Sequence, residues 1–170
     1  MEEEKKENKV VRIIKEIIPY VLIIVTVILI RTFLFTPIKV VGPSMNNTLK
    51  SGEIMILNKV AKIDRFDIVV IKSKKSPEIL IKRVIGLPGE ELEIKDNAIY
   101  INGKKIKDKY ANGETSGYYY TKIPKGQYYV LGDNRPISAD SRLFGTFKKE
   151  DIKGTTRLVI FPFKKIGFVK

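Results

Sequence analysis

Residues 17–35, IIPYVLIIVTVILIRTFLF, are the most apolar stretch of this 170-residue chain and divide it in two. As a helix, this stretch would extend about 28 Å at 1.5 Å per residue, which matches the hydrocarbon core of a bilayer. Pro19 falls in the first turn, and Arg31 lies near the other end, where its guanidinium can reach the headgroups. The segment is apolar all round and no A-x-A-like site follows it. We therefore predict a retained transmembrane helix rather than a buried core helix or a cleaved secretion signal.

The charges on either side of this segment predict its orientation. Five Lys or Arg residues lie within the sixteen residues before it, whereas only Lys39 and Lys50 follow within the fifteen residues after it. Positively charged flanks remain on the cytoplasmic side of a membrane. Residues 1–16 are therefore predicted to be a flexible cytoplasmic tail, and residues 36–170 an extracytoplasmic domain.

Residues 36–170 contain short β-branched segments separated by turns and show no sustained helical period, which predicts an all-β domain. The predicted strands are residues 38–41, 53–58, 67–72, 79–85, 91–95, 98–101, 127–131 and 156–161. The Asn102-Gly103 dipeptide, with alternating apolar residues before it, predicts a β-hairpin. Residues 103–122 are polar and rich in tyrosine, and we interpret them as an irregular surface excursion.

The composition excludes several chemistries. Cysteine and histidine are both absent, so the chain has no disulfide, no thiol nucleophile, no Cys/His zinc site and no Ser-His-Asp triad. The net charge is +13, of which +12 falls on residues 36–170. Such a basic domain could bind nucleic acid or anionic lipid, or could simply carry a solubilising charged face. The neighbouring apolar segment favours lipid, and we expect no nucleic-acid partner.

Two residues are candidates for chemistry without histidine. Ser44 lies in the turn-rich stretch GPSMNNTL, residues 42–49, where it could be a nucleophile, a helix cap or an ordinary loop hydroxyl. Lys82 lies in a predicted strand whose alternation places it on one face with Leu80 and Val84. Desolvation there would lower its pKa, and a shift from 10.4 to 7–8 would require on the order of 4 kcal/mol. The alternative is an edge strand on which the ammonium points to water.

A third stretch, residues 132–142 (GDNRPISADSR), is dense in turn formers and hydroxyl groups, and neither a strand nor a helix is predicted there. Asp140 with Arg142, and Asp133 with Arg135, could pair and brace this loop. Ser138 could instead hydrogen-bond an amine and orient its lone pair.

Taken in order behind an apolar anchor, these segments resemble the bacterial type I signal peptidases. That family has the boxes S-M-x-P-T-L, G-D-I-V-V, K-R-V-I-G-L-P-G-D and G-D-N-R-x-x-S-x-D-S-R. Here they read SMNNTL at residues 44–49, FDIVV at 66–70, KRVIGLPGE at 82–90 and GDNRPISADSR at 132–142. The resemblance covers the anchor and nearly all of the domain, and four boxes in order are highly specific.

The resemblance implies a serine endopeptidase with an all-β catalytic domain that removes signal peptides from secreted preproteins at the outer face of the cell membrane. Ser44 would be the nucleophile, with its own N–H serving the oxyanion, and Lys82 the general base. Supporting roles would fall to residues that orient the lysine, hold the loop or pack against the site: Ser138, Asp140, Arg142 and Met45. We expect no cofactor, no metal and a monomer in contact with membrane lipids.

The chain departs from the family pattern beside the nucleophile. Asn47 stands where proline is usual, so we expect the backbone there to be less rigid and the loop modestly less ordered. Gly42 stands where some members carry a serine hydroxyl for the oxyanion. A non-catalytic, membrane-anchored module that binds signal peptides is therefore an alternative. A self-cleaving regulator like the SOS-repressor autoproteases is a third, although the anchor and the lack of a DNA-binding helix pair argue against it.

Overall fold

The computed structural model describes residues 9–169, and the first eight residues of the predicted tail lie outside this range. Helix α1, Lys9–Leu29, continues into a π-helical turn, Ile30–Leu34. The helix therefore begins eight residues before the predicted span, so residues 9–16 are helical and not a flexible tail. Apolar residues continue through this segment, and Arg12 pairs with Glu16 one turn away at 3.3 Å. By length and composition, this helix can cross a membrane.

The domain that begins at residue 36 is built mainly of strands. They are β1 Phe35–Lys39, β2 Ile54–Asn58, β3 Ile68–Ile71, β4 Leu80–Gly86, β5 Glu91–Lys95, β6 Ala98–Ile101, β7 Lys104–Lys105, β8 Tyr119–Lys122, β9 Gln127–Leu131, β10 Phe147–Lys148, β11 Ile152–Phe161 and β12 Gly167–Phe168. Each of the eight predicted strands is present, and the predicted hairpin joins β6 to β7. The prediction of a mostly β chain with one N-terminal apolar helix is confirmed.

The strands form two antiparallel sheets. The larger has the order β1-β2-β11-β3-β4-β9-β10, with β12 added beside β11, and the smaller has the order β7-β6-β5-β8. Strand β4 lies between β3 and β9 in the larger sheet, and all seven of its residues are buried. Because every interior residue of β4 has strands on both sides and core on both faces, any charge it carries is removed from water.

The interpretation of residues 103–122 as an irregular excursion is wrong at both ends. Lys104–Lys105 forms β7, and Tyr119–Lys122 forms β8, which pairs with β5 through Tyr119 opposite Ile94 and Lys122 opposite Glu91. Exposure alternates along β8, as in a strand with one face on the core. In the segment YYTK the core-facing residues are tyrosine and threonine instead of aliphatic residues. The sequence therefore lacks the alternation of strongly apolar and polar residues that predicts a strand.

The loop at residues 132–142 also contains local structure that was not predicted. Arg135–Ile137 forms a 3₁₀ turn, and Ser141–Phe144 forms the short helix α2. The Asp140 side chain caps α2 by accepting a hydrogen bond from the Arg142 N–H. Elements of three and four residues are too short to show a helical period in the sequence.

Candidate active site

The Ser44 turn is anchored by the residues that follow the serine. The N–H groups of Thr48 and Leu49 donate to the Met45 carbonyl, at 3.1 and 2.9 Å, which closes a compact turn. Met45 and Leu49 are fully buried in a core cluster that also contains Ile81 of β4. The turn therefore holds Ser44 half-buried at the edge of the core, with Met45 as its apolar anchor.

Lys82 meets Ser44 directly. Its Nζ lies 2.7 Å from Ser44 Oγ, within hydrogen-bonding distance, and the side chain is only 3 % exposed. A solvent-exposed lysine on an edge strand is therefore excluded. Burial lowers the pKa of Lys82 from 10.5 to about 8, even though Asp140 and Asp133 favour the charged form. A substantial fraction of the amine is thus neutral near pH 8, when the Ser44 hydroxyl can donate to the Nζ lone pair.

Asp140 organises the loop that faces this pair. It is completely buried, its Oδ2 accepts from the Gly132 N–H at 3.1 Å, and Arg142 pairs with it at 2.9 Å, as predicted. The Oγ of Ser138 is buried, and within residues 9–169 it has no hydrogen-bond partner. In this structure Ser138 is therefore not hydrogen-bonded to Lys82, although its hydroxyl remains available to a partner.

Gly132 allows the loop to approach the nucleophile. A Cβ at this position would lie 2.1 Å from Ser138 Oγ and 2.6 Å from the Ser44 carbonyl oxygen, both shorter than any real contact. The Asn134 N–H, two residues later, donates to that same carbonyl at 3.0 Å. Only glycine permits this close packing, a requirement that becomes visible only when the two loops are seen together.

A buried ion pair lies on the other face of β4. Arg83 is 1 % exposed and makes a bidentate contact with Asp133, at 2.8 Å from Nε and 2.7 Å from Nη2. The Thr48 hydroxyl, at the end of the nucleophile turn, donates to the same carboxylate at 2.5 Å. Three segments therefore meet at Asp133: the nucleophile turn, the strand that carries Lys82 and the loop at residues 132–142.

The predicted pairing of Asp133 with Arg135 is wrong. Arg135 turns to the opposite side, where it is buried, forms an ion pair with Asp108 and donates from Nη1 to the Thr115 hydroxyl at 2.6 Å. Neighbouring residues of a turn point in different directions, so proximity in sequence did not identify the partner. Residues 108–115 are consequently fastened to the loop beside the catalytic candidates.

The Asn112 backbone strengthens that attachment. Its N–H donates to the Asp133 carbonyl at 2.7 Å, and its carbonyl accepts from the Arg135 N–H at 3.0 Å. In addition, the Arg83 guanidinium lies 3.6 Å from the centre of the Tyr110 ring. Part of the stretch interpreted as a surface excursion is thus integral to the site, and the sequence carried no signal for this.

An apolar groove of about 540 Å³ is lined in part by residues that neighbour Ser44 and Lys82 in the chain. Val41, three residues before Ser44, and Ile81, directly before Lys82, both line it. Its other apolar lining residues are Ile38, Leu57, Val70 and Ile79. Lysines and Glu78 stand among the remaining lining residues, so the groove is an apolar channel with charged groups around it. Its lining suits apolar side chains.

The two departures from the family pattern have different structural consequences. Gly42 has a φ of +84° with no atom within 4 Å of the position of a Cβ, so it leaves open space beside Ser44. Asn47 has a φ of +89°, a left-handed conformation that asparagine tolerates and that proline cannot adopt. Within residues 9–169 the Ser44 N–H has no acceptor, so it is free to donate to an oxyanion.

Among the described residues, no group of three or more carboxylate side chains is placed to hold a metal ion. What the arrangement offers is a hydroxyl, a buried amine and a free backbone donor beside an apolar groove. Those are the elements of acyl transfer through an activated serine.

The protein resembles known proteins along nearly its whole length. A family model described as signal peptidase, peptidase S26, matches residues 11–161. Signal peptidase I of Bacillus licheniformis is 38 % identical over 98 % of each chain, and signal peptidase I T of Bacillus subtilis strain 168 is 39 % identical over 88 % of this chain and 86 % of its own. The crystal structure of a signal peptidase I from Enterococcus faecalis superposes with a TM-score of 0.52 at 35 % identity, covering 56 % of this chain and 97 % of that one.

Proposed function

The chain belongs to the signal peptidase family, peptidase S26, and we propose that it removes signal peptides from secreted preproteins with Ser44 as nucleophile and Lys82 as general base. That it is a serine endopeptidase acting on signal peptides follows from its family. The assignment of the two residues rests on one observation, the 2.7 Å contact between Ser44 Oγ and a lysine amine buried in β4. No finding favours a non-catalytic binding module or a self-cleaving regulator.

The proposed reaction begins when the neutral Lys82 amine takes the Ser44 proton as Oγ attacks the carbonyl before the scissile bond. The Ser44 N–H donates to the oxyanion, a contribution worth about 3 kcal/mol of barrier in related oxyanion holes. The Lys82 ammonium then gives its proton to the leaving amine, which becomes the N-terminus of the mature protein. Water, deprotonated by the same amine, attacks the acyl carbonyl, and the Lys82 ammonium returns the proton to Ser44 Oγ as the signal peptide is released.

The supporting residues act on this pair without reacting. Asp140 and Arg142 hold the loop of residues 132–142 against the Ser44 turn, and Met45 fixes that turn to the core. In the proposal, the Ser138 hydroxyl hydrogen-bonds the Lys82 amine once substrate is bound. Its buried Oγ, unpartnered within residues 9–169, is the observation that supports this role.

Processing of a preprotein by the full-length protein in detergent tests the assignment. Ser44→Ala and Lys82→Ala should each reduce cleavage to background, and Lys125→Ala, an exposed lysine in a turn between strands, should cleave as the wild type does. Full activity in either of the first two variants would refute the dyad. A wild type that binds the preprotein and never cleaves it would favour the binding module.

The pH profile gives an independent test of the base. Because Lys82 must be neutral and burial lowers its pKa to about 8, activity should be half-maximal near pH 8 and should level off about one pH unit above it. Below pH 8 it should fall about tenfold for each pH unit, as the neutral fraction falls. A rate that stays constant between pH 5 and pH 9 would contradict a lysine base.

The apolar helix α1 fits a single membrane span. We propose that its N-terminal side faces the cytoplasm, that residues 36–170 form the extracytoplasmic catalytic domain, and that the domain rests on lipid as a monomer without nucleic acid. Phe163 and Phe168 are largely exposed and Lys164 follows Phe163 directly, a combination suited to anionic headgroups.

The absence of cysteine allows this topology to be tested by single substitutions. In intact cells without an outer membrane, a membrane-impermeant maleimide should label Lys125→Cys and should label Lys5→Cys only after permeabilisation. The reverse pattern would refute the orientation.

A further inference from the structure

A second cleft borders the turn that carries Ser44, and it shares no lining residue with the apolar groove. It has a volume of about 730 Å³, and Gly42 and Pro43 line it where Val41 lines the groove. Asn46 and Asn47 line it from the nucleophile turn, and Asn112 lines it from the stretch at residues 103–122. The groove and the cleft thus flank the turn that carries Ser44, and they differ sharply in chemistry.

The side chains around the cleft are free to bind. Within the part of the chain that the structure describes, the side-chain amides of Asn46, Asn47 and Asn112 make no hydrogen bond. The fourth asparagine, Asn134, donates from Nδ2 to the Pro43 carbonyl at 3.2 Å and so ties the two walls together. Three amides that each offer donors and acceptors can match an extended peptide backbone, which presents both.

The far wall of the cleft is held rigidly. The Asn112 backbone bridges the Asp133 carbonyl and the Arg135 N–H, and the buried Arg135 side chain fastens Asp108 and Thr115 on either side. Because the contacts of Asn112 run through its backbone, its side chain can be changed without removing them.

A substrate that passes through the active site must occupy both sides of Ser44. The residues before the cut are small and apolar in the substrates that the family resemblance implies, and the apolar groove matches them. The chain that continues past the scissile bond must then leave by the other side, where the polar cleft lies.

We propose that this polar cleft binds the first residues of the mature protein, those that follow the scissile bond. The free asparagine amides hydrogen-bond the backbone of this segment. Lys50, an exposed lysine on the cleft wall that forms no ion pair within residues 9–169, favours an acidic side chain among the first few residues after the cut. The inference rests on the proposed function, because it takes Ser44 as the point of cleavage.

The test compares peptides that are identical before the cut and carry Asp or Lys at the second position after it. The enzyme is the full-length protein in non-ionic detergent. Wild type should show a kcat/KM for the Asp peptide about three- to tenfold above that for the Lys peptide at low salt, and the ratio should approach one in 1 M NaCl. Lys50→Glu should reverse the preference, whereas the charge-matched control Lys125→Glu should keep it.

A second comparison separates the two sides of the cut. An ester with the same residues before the cut, and none after it, reports the acyl side alone. Asn112→Ala should lower the ratio of peptide to ester kcat/KM by about fivefold, the loss expected for one hydrogen bond. Equal losses on peptide and ester, or an unchanged preference in Lys50→Glu, would overturn the proposal.

A binding experiment distinguishes a wrong assignment of Ser44 and Lys82 from a wrong assignment of the cleft. The same Asp and Lys peptides can be bound to Ser44→Ala protein and their Kd values compared by fluorescence anisotropy, with Lys50→Glu added to the same background. A preference in Kd that Lys50→Glu reverses supports the cleft even if the wild type shows no dependence on Lys82. Equal Kd values for both peptides contradict the cleft even if Ser44 and Lys82 are both essential.

Discussion

Replacing Lys82 by methionine should abolish catalysis and make the protein more stable. The lysine is almost completely buried, and burial lowers its pKa in the folded protein to about 8, well below the ordinary lysine value of 10.5. At neutral pH the folded state must therefore hold a charge that the fold disfavours. This lowering of the Lys82 pKa on folding reduces the unfolding free energy by about 3 kcal/mol at pH 7.

Methionine fills a similar volume without charge. The substitution removes the hydrogen bond to Ser44, but this hydroxyl is only half-buried and can turn to water, so the loss should be about 1 kcal/mol. The net expectation for Lys82→Met is a gain of about 2 kcal/mol at pH 7. Lys82→Arg, which stays charged at every accessible pH, should instead be less stable than the wild type.

The sign of the pH dependence follows from proton binding. Between pH 8 and pH 10.5 the unfolded chain keeps the Lys82 proton and the folded chain has lost it, so wild-type stability rises with pH in this window and the penalty is fully present below it. The advantage of Lys82→Met should therefore shrink by about 2 kcal/mol between pH 8 and pH 10. The difference between the unfolding free energies of wild type and Lys82→Met at each pH cancels the contributions of the other titratable groups, which are the same in both proteins.

The assay is urea unfolding of the full-length protein in non-ionic detergent, followed by far-UV circular dichroism at pH 7, 8, 9 and 10. Parallel pH curves for wild type and Lys82→Met would show that the lysine is not desolvated. They would remove the physical basis for a neutral base at Lys82.

Three further substitutions test the surroundings of the dyad. Gly132→Ala should abolish cleavage because the added Cβ collides with the nucleophile turn, whereas Gly167→Ala, where no atom lies within 4 Å, should cleave normally. Asp133→Asn leaves its partner guanidinium buried without a counter-charge and should lower the unfolding free energy by about 3 kcal/mol or more, whereas Glu150→Gln, in an exposed pair, should change it little. Asn47→Pro should lower both stability and kcat because proline cannot adopt a φ of +89°. Asn47→Gly should retain both, because glycine adopts this conformation readily. An Asn47→Pro variant as active as wild type would show that the turn is not fixed in this conformation.

The strands were predictable because each has a local signal, whereas Ser44 and Lys82 were singled out by the resemblance of four sequence boxes in order. Strand alternation correctly placed Lys82 with Leu80 and Val84 on one face of β4, and Leu80 and Val84 do pack together in the core. Alternation says nothing about which strands flank β4, so the burial that lowers the lysine pKa could not be derived from spacing. That burial depends on β3 and β9, which pair with β4 from distant parts of the chain.

The partners of the charged residues were not predictable for a related reason. Asp133 and Arg135 are two residues apart, yet one pairs across the core with Arg83 and the other with Asp108. Side chains in a turn diverge, and a buried ion pair forms where two elements meet, which depends on tertiary structure alone. The tyrosine-rich strand β8 escaped prediction because its neighbours complete its apolar face.

The backbone conformation of Asn47 reverses the interpretation of this departure from the family pattern. From sequence, asparagine in place of proline indicated a less rigid turn beside the nucleophile. In the structure, the residue adopts a left-handed φ, and the following Thr48 donates its hydroxyl to Asp133, which also binds Arg83. Asparagine tolerates this backbone conformation and proline cannot adopt it, so the turn is fixed by a buried carboxylate instead of by a proline ring. The order that proline would supply locally is supplied by a contact that also holds the strand carrying Lys82, so the Ser44 turn and Lys82 are positioned by the same buried group.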